Sequence, residues 1–192
     1  MLTIGNLRYG KIHKILSLTV YWEILEYSED NKDGVSGMII DIGIDKKGRK
    51  VVVDAALRVL ADTFILSLKT RNYHWNITGI HFKYLHEFFQ EIYESLDAAG
   101  DEIAERIRAL GFYCPASYTE FMAISAIKEE KGSLESMDMV RRLVLDIELL
   151  IRRTNEVKTV ALSVDDDATA DLMIGRLQEL GKFAWMLRSH LE

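Results

Sequence analysis

The chain of 192 residues has one cysteine, Cys114, and one proline, Pro115. A single thiol cannot close an internal disulfide, and with no Cys-x-x-Cys or Cys/His cluster there is no zinc-finger pattern. A reducing, cytoplasmic setting is therefore expected. Little proline and only 12 glycines leave long stretches in which nothing interrupts a helix. No apolar run reaches the roughly 20 residues that a membrane-spanning helix needs. The stretch Ile15 to Trp22 follows three basic residues, but it meets Glu23 and Glu26 at once and carries no small-residue cleavage site, so it is not read as a signal peptide. Positive charge is also scarce. Lys and Arg total 24 against 30 Asp and Glu, a net charge of −6, which argues against binding nucleic acid by bulk electrostatics.

What remains is 48% apolar and 28% charged, the balance of one folded domain with a core. The composition changes near residue 37. Residues 1–37 mix β-branched and aromatic residues without a period and end in the turn-like run Ser28 to Gly34, so they are read as an extension or linker. Residues 38–192 are read as the domain. A first helix is expected over about 46–76, with Val52, Val53, Ala56, Leu57, Leu60, Ala61, Phe64, Ile65 and Leu68 as its apolar face. Gly79 breaks it. A second is expected over about 81–110, a short one over Tyr118–Ile124, and two more over about Leu134–Ser163 and Ala168–Leu191. Four long amphipathic helices with a long second-to-third connection describe an all-α, ferritin-like four-helix bundle, with the short helix in its crossover.

Candidate chemistry gathers at two places. His74, His81 and His86 flank the first turn, and a hairpin folded at Gly79 brings His74 and His86 to one height. Two neutral imidazoles there suit a transition metal, or they are interface histidines with no metal. Asp101 and Glu105, four apart on the second helix, project from one face as a pair of oxygen ligands or as a solvated acidic face. His86 and Asp101 are separated by ~22 Å of helix, so no single ion is bound by both in one chain. They point in similar directions, ~60° apart. Two copies of this helix, antiparallel about a twofold axis, would place His86 of one beside Asp101 and Glu105 of the other. The Glu-x-x-His pair of in-bundle di-iron centres is absent from the chain.

The run Leu66 to Gly79 with its His74-Trp75 pair, Leu85-His86-Glu87-Phe88-Phe89, and Asp101-Glu102-Ile103-Ala104-Glu105-Arg106 together closely resemble the Dps family, the miniferritins. Asp165 to Asp171 and Lys182 to Trp185 resemble that family's last helix. The likeness spans about residues 38–192. It implies a dodecameric homo-oligomer that oxidises ferrous iron, preferably with hydrogen peroxide, and stores ferric mineral. His74 and His86 of one chain, and Asp101 and Glu105 of its twofold mate, would hold two iron ions per intersubunit ferroxidase centre. Gln90 stands where the family usually has Asp or Glu, and its neutral carbonyl weakens the second iron position. Trp75 matches a family tryptophan thought to intercept stray oxidising equivalents, and is otherwise a packed interface aromatic. Glu87, Glu91 and Glu94 would nucleate mineral or form a solvated face. Asp165, Asp166, Asp167 and Asp171 would form an acidic pore, or cap a helix. Family members that bind DNA do so through a Lys-rich tail. Here residues 1–37 hold four basic residues (Arg8, Lys11, Lys14, Lys32) against five acids, so DNA binding is not expected. A nucleoid-associated protein, and a metal-binding cage with oxidation impaired by Gln90, are the alternatives.

Overall fold

The computed structural model describes residues 40–192, all of whose regular elements are helices. The expected extension over 1–37 lies outside the described residues. Helix α1 spans Lys46–Asn76, α2 Phe82–Ala109, α3 Tyr118–Ile124, α4 Ser136–Leu162 and α5 Asp167–Arg188. These boundaries fall within three residues of those expected from the periodicity.

Local chemistry sets the ends. Asp45 caps α1 by accepting from the Gly48 N–H at 2.6 Å. At the other end the Ile77 N–H bonds back to the Tyr73 carbonyl, and Gly79 at φ 91° turns the chain. Gly111 at φ 88° does the same after α2. Ser117 and Glu120 form a capping box on α3.

The side-chain pairs give the direction of every helix. Ser67 meets Asp97 and His74 meets His86, so α1 and α2 are antiparallel. Asp62 meets Arg153 and Lys69 meets Asp146, which makes α4 antiparallel to α1. Arg106 meets Asp166 and Phe88 meets Phe183, so α5 is antiparallel to α2. Helices α2 and α4 are thus parallel, and the segment joining them has to travel back along the bundle. It does so along α1. Asp62 holds Ser125, Ala126 and Ile127, the Lys69 ammonium reaches the Lys128 carbonyl, and Tyr73 donates to Glu130 at 3.0 Å. Helix α3 rests on Phe64 through Phe121, with ring centroids 4.7 Å apart.

The expected stripe of α2 is buried at every position from Leu85 to Leu110. The stripe of α1 is not. Phe64 and Leu68, expected in the core, are exposed in the single chain together with Trp75. Positions 64, 68 and 75 form a second apolar strip, and Tyr118 and Met122 of α3 are exposed apolar residues beside it. The run of apolar residues in α1 therefore serves two faces, which periodicity alone merges into one.

Asp62 is fully buried, and no apolar environment tolerates an isolated carboxylate. Its oxygens accept from Arg153 at 2.7 Å, the Ser125 hydroxyl at 2.7 Å and the Ala126 N–H at 2.8 Å. Removing it takes the carboxylate from the Arg153 guanidinium and leaves the Ala126 N–H without its acceptor. Asp62→Ala is expected to destabilise the fold by about 3 kcal/mol, read as a lower thermal midpoint, whereas an unchanged midpoint would show that the crossover is held by other contacts.

Candidate metal centre

The five-residue turn between α1 and α2 leaves no slack, so the last turn of α1 and the first of α2 face each other at His74 and His86. The two residues exchange hydrogen bonds. The His74 Nδ1 donates to the His86 carbonyl at 2.6 Å, and the His86 Nδ1 donates to the His74 carbonyl at 2.8 Å. A carbonyl oxygen only accepts, so each Nδ1 must carry the proton. In the neutral rings each Nε2 is then left with an unshared lone pair, the arrangement a metal-ligating histidine needs from its supporting hydrogen bond. The rings stack, with centroids 3.8 Å apart and planes 20° from parallel. Phe82 covers the His86 ring at 5.1 Å, and Tyr93 stands edge-on to His74 at 5.4 Å. His74 is buried and His86 half-buried. Aromatic walls and fixed tautomers thus present two neutral nitrogen donors side by side.

Tyr93 is itself held. The Arg71 guanidinium lies 4.1 Å from its ring centroid and also pairs with Asp97, which accepts from the Ser67 hydroxyl at 2.5 Å. Phe82, Tyr93 and Arg71 carry no ligand pattern, so sequence reasoning passed over them. The only signal was their spacing, one turn from His86 for Phe82 and two turns for Tyr93.

The remaining expected ligands stand as follows. Gln90 is one turn beyond His86, and its amide N–H donates to Glu94 at 2.7 Å. That bond leaves the Gln90 carbonyl oxygen as its available donor atom and ties a carboxylate, Glu94, to this side of the helix. Glu87 pairs with Lys83, and Glu91 is exposed. Asp101 and Glu105 are exposed, and neither has a hydrogen bond or ion pair among the described residues. They lie four and five turns along α2 from the histidines. Among the described residues no three His, Cys, Asp or Glu side chains of one chain come together in a metal-binding group. The histidine pair, at the end of α1 and the start of α2, and the two acids farther along α2 thus stand apart within one chain. Trp75, next in sequence to His74, is 66% exposed.

The acidic run before α5 divides in two. Asp166 is buried; it caps the helix through the Thr169 N–H at 3.0 Å and pairs with Arg106 at 2.5 Å. It cannot line a solvent pore. Asp165, Asp167 and Asp171 remain exposed.

With this geometry in place, comparison with known proteins is informative. The family model for a ferritin-like domain matches residues 53–192. A low temperature-induced protein of Nostoc sp. is 39% identical over 155 residues, which cover 80% of this chain and 87% of the relative. The DNA protection during starvation protein 2 of Bacillus anthracis is 37% identical over 142 residues, covering 74% of this chain and 97% of the relative. Among solved structures, the DPS protein of Vibrio cholerae O1, described as a member of a broad superfamily of ferritin-like diiron-carboxylate proteins, matches with a TM-score of 0.78 and 30% identity. That match covers 82% of this chain and all of the Vibrio chain, 100%.

Each ring is held by the other residue's backbone, and both nitrogens are needed to chelate. Either His74→Ala or His86→Ala is therefore expected to abolish tight ferrous binding in an anaerobic titration. Wild-type affinity in either single variant would show that the pair is not the metal site.

Proposed function

The chain belongs to the Dps family of ferritin-like proteins, and from that premise we propose that it is a ferroxidase whose centre is shared between two copies of the chain. Iron enters as substrate. His74 and His86 of one copy supply two neutral imidazole nitrogens, a donor set suited to a borderline divalent ion such as Fe(II). Asp101 and Glu105 of the partner subunit supply two anionic oxygens. Hard carboxylates bind Fe(III) more tightly than Fe(II), so this half of the site favours the oxidised product. Hydrogen peroxide is the proposed oxidant. Its use removes both reagents of hydroxyl-radical chemistry at once, which is a defence against oxidative stress. The ferric product is stored as mineral inside a closed dodecamer in the cytoplasm, with residues 38–192 as the cage-forming domain.

The observation that carries this reading is the reciprocal His74–His86 pair, which ties each Nδ1 to a carbonyl and leaves each Nε2 free, with no carboxylate joining the pair among the described residues. A site with donors and no charge asks for charge from elsewhere. Three further features agree with a twofold mate. The half-sites are ~22 Å apart on one straight helix, the acids are exposed and unpaired among the described residues, and α1 with α3 offers the exposed apolar strip of Phe64, Leu68, Trp75, Tyr118 and Met122. An apolar strip of that kind marks a contact between molecules more often than a free surface. Trp75 lies on it beside His74, placed either to pack against the mate or to intercept an oxidising equivalent. Asp165, Asp167 and Asp171 gather negative charge at the start of α5, where a cation path would be drawn.

A second reading is favoured by Gln90. Its amide gives the second iron position a neutral oxygen in place of a carboxylate, so the centre holds its first iron well and its second poorly, and turnover is slowed. DNA binding is not part of the proposal, because a chain of net charge −6 releases few counterions from a phosphate backbone.

Two measurements test this. Twelve chains of 22.0 kDa form a particle of about 264 kDa in solution, and a stable monomer or dimer would contradict storage in a cage. Anaerobic ferrous loading followed by peroxide is expected to oxidise iron faster than the buffer blank. Gln90→Asp is expected to raise both the iron bound per centre and that rate; unchanged binding and rate would show that position 90 does not face the metal.

A further inference from the structure

Beside the histidine pair stand four side chains that carry charge or hold it, and none of them is a candidate ligand. Ser67 and Arg71 are one turn apart on α1, and Tyr93 and Asp97 are one turn apart on α2. The two rows meet across the hairpin. The Arg71 guanidinium lies 4.1 Å from the centre of the Tyr93 ring, and that ring stands 5.4 Å from the His74 ring. The Arg71 charge is therefore within about 10 Å of the His74 imidazole, roughly one Debye length at ~0.1 M salt. What separates them is an aromatic ring, with Tyr93 half-buried and His74 buried. A fixed positive charge at that distance opposes a divalent cation on the histidines.

Asp97 answers that charge. Its carboxylate pairs with Arg71 and accepts from the Ser67 hydroxyl at 2.5 Å. Position 97 lies within ~20° of position 86 around α2, so the carboxylate is on the side of the helix that carries His86. Glu87 is engaged with Lys83 and Glu94 with Gln90, which leaves Asp97 as the carboxylate that meets Arg71. The side chains of Arg71 and Asp97 are 33% and 45% exposed, and an ion pair so open to water adds little to stability. Its weight falls on the field around it. The two imidazoles, neutral and held by carbonyls, bring no charge of their own to offset that field.

We propose that Arg71 and Asp97 set the charge at the iron centre, Asp97 cancelling a guanidinium that would otherwise weaken ferrous binding at His74 and His86. The inference rests on those histidines being the metal site of the proposed function. Neither residue touches the ion. Each acts through space, so the sign of its effect follows the sign of its charge. Loss of the carboxylate leaves a net positive charge beside the site, loss of the guanidinium leaves a negative one, and loss of both returns the wild-type balance.

Anaerobic ferrous titration of the assembled protein tests it, using Asp97→Asn, Arg71→Met and the two combined. Methionine keeps an apolar stem against Tyr93 and removes the charge. Asp97→Asn is expected to weaken binding roughly tenfold, Arg71→Met to tighten it, and the double variant to bind as the wild type does. The deficit of Asp97→Asn is expected to shrink as salt is raised. If these residues did no more than support the His74 ring, both single variants would bind worse and the double variant worst. That order, or wild-type affinity in Asp97→Asn, would overturn the proposal. His74→Ala in the same titration separates it from the proposed function. Binding retained there removes the metal site and this inference together, whereas binding lost there with no change at Asp97→Asn removes this inference alone.

Discussion

Two hydrogen bonds exchanged between His74 and His86 hold the turn of α1 into α2 and prepare the candidate metal site in the same stroke. Each fixes a tautomer, and the bond to the His74 carbonyl also satisfies an acceptor in the last turn of α1. Because each acceptor is backbone, a histidine at either position keeps its own bond whatever stands at the other, and only the pair presents two donors. The bonds exist because the turn is short: five residues, with Gly79 in a left-handed conformation, leave the two helix ends in contact. The sequence of this turn and the chemistry of the site are for that reason a single constraint. Phe82 and Tyr93 close the sides of the pair, and Arg71, Asp97 and Ser67 fix Tyr93 in turn.

A second constraint is length. Helix α2 is long enough to put its acids four to five turns from its His86. Here Asp101 and Glu105 carry exposed charge that the fold does not use, while the histidines have donors and no charge. In the proposed centre, copies of the chain related by a twofold axis would complete each other twice over. The exposed strip on α1 and α3 follows the same logic, since its apolar area has no cover among the described residues.

The four long helices were legible in the sequence because the chain offers nothing to break them, and their periodic stripes are long enough to define a face. The short helix over Tyr118–Ile124 was expected in the long connection after Pro115 and stands there. The double role of α1 was not. Phe64 and Leu68 are apolar at helical spacing, and only packing distinguishes a residue that faces the bundle from one that faces away. The buried hub at Asp62 was equally hidden, because a carboxylate inside an apolar run is read as a solvated position until Arg153 and Ser125 are seen to surround it. In the acidic run before α5, sequence could not separate Asp166, which is spent on a helix cap and on Arg106, from its exposed neighbours. Spacing did place His74 and His86 at one height of the first hairpin, and Asp101 and Glu105 on one face of α2. It could not reveal that the two imidazoles stack, or which nitrogen of each carries the proton.

The central claim is that a metal centre draws its histidines from one chain and its acids from another, and co-assembly of two defective chains tests it most directly. One variant carries His86→Ala, the other Asp101→Ala with Glu105→Ala. Homo-oligomers of either lack half of every centre and are expected to be inactive. In a mixed pair, one centre lacks both halves, whereas the other joins the intact histidines of the acid-less chain to the intact acids of the histidine-less chain. Iron oxidation is therefore expected to return in mixed cages, up to one centre per mixed pair. Activity no higher than the average of the two parents, in particles shown by mass to contain both chains, would contradict a shared centre.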